Sequence, residues 1–354
     1  MDIVRLDFNE LTAAFETNLL TCVGNPPGGA HNSTLHPSGQ WLAIENCCSD
    51  WAIDLIDLRQ AASGQAVHRW RFIDESRQAS AGRCPTGATF TCIVVTKPDG
   101  SSASGLWQPH DAHFSGDGKT MYVAAINSTF IVDVSKALEG RVRTTAIIPN
   151  SDGMTISHQA DVSPDGKVLV VTDEAGGGTS NTDCNTTPQG FMGAIHFYAL
   201  GSIKGVAASA GASPSAPKKL GIYVNPNPTL APDALAGVIG TLPRAERGCT
   251  VHVFRIGGNG SSSPGEAEPG LGGVSSLSNR ELVTAWYGGG VWWVDFSSAP
   301  SSTDAIAEDP RTTWGNTKGW SVMPGADTWS AKEYKGHVYT GDMLRGFDVF
   351  RLSR

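Results

Sequence analysis

The 354-residue chain sets Lys+Arg 26 against Asp+Glu 34, a formal charge of −8, and has no clustered Lys/Arg stripe. Nucleic acid is thereby excluded as a partner, because phosphate binding needs a basic surface, and no apolar run approaches the ~20 residues of a membrane-spanning helix. With Gly 42, Pro 20 and only 17% charged residues, the length suits one large all-β architecture of repeated units better than two ordinary domains.

The N-terminus, Met-Asp-Ile-Val-Arg-Leu-Asp-Phe, lacks the basic and apolar regions of a signal peptide. The expectation is a cytoplasmic protein, with a trimmed, secreted form left open. One short helical stretch is expected around Asn9–Asn18, and a strand within Asn18–Val23.

From there the chain repeats one series: a His-led strand, a turn, a β-rich strand, a break, and a strand ending in Asp-Leu or Asp-Val. Unit one reads His31-Asn-Ser-Thr-Leu, Pro37-Ser-Gly-Gln, Trp41-Leu-Ala-Ile-Glu, then Trp51 to Leu58. Unit two reads His110-Asp-Ala-His-Phe, Ser115-Gly-Asp-Gly-Lys, Met121-Tyr-Val-Ala-Ala, then Phe130 to Val134. Unit three has His158-Gln-Ala-Asp-Val, Ser163-Pro-Asp-Gly-Lys, Val168-Leu-Val-Val-Thr, then Ala194 to Tyr198. Unit four has Val251-His-Val-Phe-Arg-Ile, Glu281 to Trp286, then Gly290 to Phe296. Unit five has Trp329-Ser-Ala-Lys-Glu-Tyr, His337-Val-Tyr-Thr, then Gly346 to Leu352. The Asp-Gly and Ser-Gly turns are strong hairpin signals, since Gly accepts the positive φ of tight turns.

Three or four antiparallel strands per unit, repeated, describe a β-propeller, in which radial stacking buries both faces of each small sheet. The leading residues lie 79, 48, 94 and 77 positions apart, and a bare four-stranded blade needs roughly 40–50 residues. The surplus falls in Gly/Ser/Pro/Asn-rich insertions near 75–107, 175–192, 225–247 and 257–279. The expected architecture is therefore a single propeller domain over 1–354 with five blades, closed by the N-terminal strand pairing onto the last unit. Six or seven blades remain open if a segment such as Phe90–Thr96 hides a degenerate unit.

The seven cysteines leave the redox compartment open. Cys84 and Cys92 share one insertion and are placed to bridge, and Cys184 and Cys249 flank loops. The vicinal Cys47-Cys48 pair is not expected to bridge to itself, because adjacent Cα atoms are too close for relaxed disulfide geometry. Reduced, mostly buried cysteines are the expectation, with at least one free thiol.

The units resemble the LVIVD-repeat β-propellers. The resemblance is carried by Trp51-Ala-Ile-Asp-Leu-Ile-Asp-Leu, Phe130-Ile-Val-Asp-Val, Val291-Trp-Trp-Val-Asp-Phe, Ser163-Pro-Asp-Gly-Lys with Val171-Thr-Asp-Glu, Cys249-Thr-Val-His-Val-Phe-Arg-Ile and the closing Gly336-to-Phe350 segment. It covers most of 27–354 apart from the insertions. What it implies is a fold; it assigns no reaction. Many members are exported, and this chain departs from them in lacking an export signal.

Four of the nine histidines share the register His-x(3)-[Leu/Phe/Val/Ile]-x(3)-Gly: His31, His110, His158 and His252, with Trp329 at the matching point of unit five. In a propeller the first strand of each blade lines the channel and begins at one mouth, where ligand sites gather. Four imidazoles there suit one transition metal, Fe or Cu before Mn or Zn. Neutral ligands leave the metal its charge and open positions, which fits Lewis-acid or oxygen chemistry. The competing reading makes these histidines hydrogen-bonding partners of neighbouring blades.

Asp111, Asp161 and His113 are candidates to orient a ligating His or to act as general base. Trp329, Trp107, Gln159, Asn32 and Arg255 are candidates to contact substrate, and Asp173-Glu174 lie near strand ends that face the mouth. The chain has no dinucleotide fingerprint, P-loop, CxxCH or Gly-x-Ser-x-Gly elbow, so no organic cofactor is indicated. The reading is a metal-dependent enzyme acting on a small organic molecule, oxidative chemistry being favoured. Metal-assisted lyase or isomerase chemistry and a non-catalytic scaffold are the alternatives.

Overall fold

Short strands whose side chains alternate between two apolar neighbours decide the architecture. The computed structural model describes residues 2–9, 14–22, 30–48, 50–78, 84, 88–178, 193–224, 250–258, 275–300, 312–323 and 325–353. An N-terminal hairpin, β1 (Asp2–Asn9) and β2 (Ala14–Cys22), precedes five sheets. The first holds β3 (Asn32–Leu35), β4 (Trp41–Glu45), β5 (Ile53–Asp57), β6 (Val67–Ile73) and β7 (Thr91–Val94). The second holds β8 (Asp111–Phe114), β9 (Thr120–Ala124), β10 (Ser128–Asp133) and β11 (Arg143–Pro149). The third holds β12 (Ser157–Val162), β13 (Val168–Asp173), β14 (Ile195–Ala199) and β15 (Lys218–Tyr223). The fourth holds β16 (Phe254–Ile256), β17 (Glu281–Ala285), β18 (Val291–Asp295) and β19 (Asn316–Ser321). The fifth has three strands, β20 (Thr328–Tyr334), β21 (His337–Asp342) and β22 (Gly346–Arg351).

Each sheet is an antiparallel meander apart from β7, and the turn residues do what the sequence requires of them: Gly118 and Gly166 take φ of 70° and 71° between first and second strands. The sheets stack face to face. In β9, Met121 and Val123 point to the first sheet, joining Trp41, Ala43 and Leu55, while Tyr122 and Ala124 point to the third, joining Val162, Leu169 and Val171. The third and fourth sheets share Phe197, Phe254, Trp292 and Phe296, and the fourth and fifth share Val283, Trp293, Ala331 and Val338. A large apolar side chain fully buried this way contributes about 1.5–3 kcal/mol, and no single sheet could bury both faces alone. The first strands meet their neighbours in order, β3 with β8, β8 with β12, β12 with β16 and β16 with β20. This is a β-propeller arrangement.

Several expectations need correction. β2 pairs with β1 rather than with β22, so among the described residues the last sheet has three strands, and Ile3 of β1 packs on the far face of the first sheet against Leu42, Ile44 and Ile56. On the far face of the fifth sheet Phe347 and Val349 are exposed. The short helix expected around Asn9–Asn18 is overturned at Ala14–Asn18, which belong to β2: pairing with β1 outweighs their helical pattern. Phe90–Thr96 forms no unit of its own; β7 adds to the first sheet, parallel to β6. Cys47 is bonded to Cys48, contrary to expectation, in a turn where Cys48 takes φ 67°, and Cys84 is bonded to Cys92. Cys184, Cys249 and most of the later insertions lie outside the described residues.

Candidate metal centre

The five leading residues occupy one structural position. The backbone N–H of His31, His110 and His252 donates to Glu45, Ala124 and Ala285, each the last residue of a second strand. His158 and Trp329 sit at irregularities of β12 and β20, between Ser157 and Gln159 and between Thr328 and Ser330. Their rings follow one another round the mouth, with centroids 4.5 Å apart for His31–His110, 4.4 Å for His110–His158, 4.3 Å for His158–His252 and 4.7 Å for His252–Trp329. His110, His158 and His252 are buried, whereas His31 and Trp329, at the two ends of the arc, are exposed. The site therefore opens on one side.

Two of the rings, His110 and His252, are oriented by the next unit's backbone. His110 Nδ1 donates to the carbonyl of His158 at 3.1 Å, and His252 Nδ1 to that of Trp329 at 2.6 Å. A carbonyl only accepts, so both rings carry their proton on Nδ1 and turn an Nε2 lone pair to the centre. Burial, with the neighbouring imidazoles, holds His110 and His252 down at about 4 and His158 well below the ordinary histidine value. The Nε2 atoms of His31 and His110 lie 3.1 Å apart.

A carboxylate completes the set. Glu174 reaches His158 Nε2 and His252 Nε2 at 3.6 Å each, and Tyr287 donates its hydroxyl to Glu174 Oε1. Burial lifts Glu174 to about 6, against the pull of the Tyr287 hydrogen bond. His110, His158 and Glu174 offer ligand atoms all within 4.8 Å of one another, and so do His31, Cys47 and His110. Converging neutral imidazoles with one carboxylate fit a divalent transition metal.

Below the ring lies a polar layer formed by residues one and three positions further along the inner strands, buried at Asp111, His113, Gln159 and Asp161, half-buried at Arg255 and exposed at Asn32. Asn32 Nδ2 donates to Asp111 Oδ1 at 2.6 Å, Asp111 Oδ2 is 3.3 Å from His113 Nε2, and Gln159 Nε2 is 3.1 Å from His113 Nε2. Gln159 also clamps the backbone N–H and carbonyl of Phe254, at 2.9 and 3.1 Å. Burial would lift Asp111, but His113, with His110 and Arg255 behind it, holds it below the ordinary range; Asp111 and Asp161 hold His113 above its own against burial. Asp161 is buried and accepts the N–H of Val162 at 2.7 Å, and Arg255 donates to the Phe254 carbonyl at 2.8 Å. The intervening residues, Ala112, Phe114, Ala160, Val162, Phe254 and Ile256, pack between sheets. Period-two alternation thus separates a polar channel from an apolar core.

The expected site residues divide accordingly. His31, His110, His158, His252 and Trp329 are together at the mouth. Asn32, Asp111, His113, Gln159, Asp161 and Arg255 belong to the layer beneath, and Asp111 orients His113 rather than the far nitrogen of His110. Trp107 lies apart, fully buried between the first and second sheets with Nε1 donating to Phe72 O at 3.2 Å. Its place is the core.

Tyr287 escaped the sequence reading, and Glu174 stood there only as a residue near a strand end. Glu174 is the first residue after the second strand of its unit, and Tyr287 the second residue after its own. The N–H groups of Asn46, Ala125, Asp173 and Trp286 make matching bonds to the start of the third strand or just before it, at Ala52, Ser128, Ala194 and Gly290. The next residues, Cys47, Ile126, Glu174 and Tyr287, are therefore equivalent rim positions.

No protein-family model and no curated protein matches the chain, so the LVIVD-repeat resemblance rests on its motifs. Among solved structures the chain is similar to a protein from Lactobacillus plantarum at 10% identity and TM-score 0.50, over 99% of this chain and 74% of that one. That likeness shows the fold alone. The chain is also similar to the β-propeller domain of Cps50 (Swd1) from Myceliophteria thermophila, at 7% identity and TM-score 0.45, over 92% of this chain and 70% of that one. A periplasmic gluconolactonase, PpgL, from Pseudomonas aeruginosa aligns at 12% identity and TM-score 0.41, over 91% of this chain and 64% of that one. Likenesses at that level carry nothing about this chain's reaction.

Proposed function

We propose that the channel mouth holds one transition-metal ion between His31, His110, His158, His252 and Glu174, and that the protein is a metal-dependent enzyme acting on a small organic molecule. The observation that carries this reading is the 3.1 Å approach of His31 Nε2 to His110 Nε2. With His110 Nδ1 committed to the His158 carbonyl, its Nε2 has only a lone pair to offer, which accepts the His31 Nε2 proton here and which a cation would take in that proton's place. Among the described residues the buried His158 Nδ1 has no hydrogen-bond partner, while its Nε2 faces Glu174 at 3.6 Å.

A bound metal would supply Lewis acidity and, as Fe or Cu, one-electron chemistry; Mn and Zn suit the same donors. The chain's own groups would supply the rest. Trp329 and Tyr287, both packed on His252 with ring centroids 6.2 Å apart, would wall a small substrate at the open side. Glu174, oriented by the Tyr287 hydroxyl and set against His158 and His252, would hold the ion with its carboxylate. The buried Asp111–His113 pair would fix the floor beneath the histidines.

The test strips the protein with a chelator, reloads it separately with Fe, Cu, Mn or Zn, and screens a panel of small organic molecules for dioxygen uptake and for oxygen-independent conversion. Metal-dependent oxygen uptake supports the oxidative reading, and metal-dependent conversion without oxygen supports lyase or isomerase chemistry. Absence of any metal-dependent turnover favours the second reading, a binding scaffold, which draws on the exposed apolar side chains Met343, Leu344, Phe347 and Val349 of the fifth sheet.

A further inference from the structure

We infer that reduction of the Cys47–Cys48 disulfide adds a thiolate ligand to the channel mouth, forming a His31–Cys47–His110 position that takes a soft or borderline cation such as Cu(I) or Zn(II). This rests on the metal-binding reading of the histidine ring and adds a redox-dependent donor to it.

Three observations converge on Cys47. Its Sγ and one ring nitrogen each from His31 and His110 lie within 4.8 Å of one another, close enough for small side-chain adjustments to bring all three onto one ion. The repeat gives the same answer independently. Cys47 follows the second strand of the first sheet at the position that Glu174 fills in the third, and Glu174 lies against His158 and His252. Finally, His31 and His110 present facing Nε2 atoms at the same corner. Glu174 serves one side of the ring, and Cys47 stands at the matching place on the other.

The bond to Cys48 withholds that donor, because a disulfide sulfur is a poor ligand and the thiolate is the strong one. Cys47 is buried, whereas its partner Cys48 is exposed, so a reductant reaches the pair from solvent. The exchange balances with an external dithiol: its two thiols pass two electrons and two protons to the Cys47–Cys48 bond and become a disulfide themselves. Cys48 leaves as a thiol on the surface, and Cys47 loses its proton to solvent when it coordinates. A site of nitrogen and carboxylate donors thereby becomes one with a thiolate, which shifts preference toward Cu(I) and Zn(II).

The experiment titrates Co(II) into the chelator-treated protein, oxidised and dithiol-reduced, and records the visible and near-ultraviolet spectra. Cys47→Ser and Cys48→Ser variants are measured alongside. The reduced protein should gain a thiolate-to-cobalt charge-transfer band that the oxidised protein lacks. Cys48→Ser, which leaves Cys47 free, should show the band without reductant, and reduced Cys47→Ser should lack it although Cys84 and Cys92 are also reduced. Cobalt binding with identical spectra in all forms overturns the proposal and leaves the histidine site standing. Absence of cobalt binding in every form overturns both.

Discussion

His252 donates its Nδ1 proton to the carbonyl oxygen of Trp329 at 2.6 Å, the same link that His110 makes to His158 at 3.1 Å. The rings of His110 and His252 are therefore each aimed by the backbone of the next unit. No substitution of the receiving side chain should disturb that aim. Trp329→Ala should leave metal content intact and shift stability by no more than about 0.5 kcal/mol, since the side chain is exposed. Its effect should appear in substrate KM instead.

Glu174 and Tyr287 tune the same centre. Glu174→Gln removes a ligand charge, and Tyr287→Phe removes only the hydrogen bond that orients it. Loss of such an orienting partner typically costs 10–100-fold in metal affinity. Competition against a chelating dye should find about that loss for Tyr287→Phe and a larger one for Glu174→Gln. Equal affinity in Tyr287→Phe and the parent would separate Tyr287 from the metal site.

Acid should destabilise the metal-stripped protein. His110 and His252 stay neutral when folded down to about 4, whereas in the unfolded chain they take up protons below about 6.5. The unfolded state then binds more protons, so stability falls as pH drops from about 6.5 toward 4, by on the order of 3 kcal/mol per histidine at most. Glu174 has the opposite sign: raised to about 6, it contributes below the ordinary glutamate value of about 4.3 and loses that contribution as pH rises through 6. Thermal melts between pH 8 and 4 should show a net fall, shallower in His110→Gln. A flat profile would contradict neutral, buried imidazoles.

The buried pair beneath the ring should be unforgiving. Asp111→Ala strands His113 without its carboxylate partner and should cost about 3–5 kcal/mol, as removal of one partner of a buried ion pair does. Denaturant midpoints for the two single variants and the Asp111→Ala/His113→Leu double variant form the check. The double variant should recover part of the loss, and strict additivity would mean the two groups do not interact.

Trp107→Ala should cost about 3–5 kcal/mol through the cavity it leaves between the first two sheets, with metal bound per folded chain unchanged. A preserved melting temperature with altered substrate affinity would instead return Trp107 to the mouth.

The repeat was legible because both of its periods are local. The Gly-bearing turns and alternating strands recur, and His31, His110, His158 and His252 repeat by residue type at the head of each unit. The rim did not read out so directly. Cys47, Ile126, Glu174 and Tyr287 hold equivalent positions but share no chemistry, so only strand pairing reveals that they correspond. Trp107 misled for a related reason: three residues before His110 the chain is already leaving the mouth for the inter-sheet core. At the N-terminus the residues of β2 pair with β1, a choice between two partners that the pattern of either strand alone does not make.

Elemental analysis of the purified protein beside the His31→Ala/His110→Ala/His158→Ala/His252→Ala variant tests the central claim most directly. The account predicts close to one Fe, Cu, Mn or Zn per chain in the parent and none in the folded variant. A metal-free parent that also fails to take up any of the four when they are supplied would contradict it.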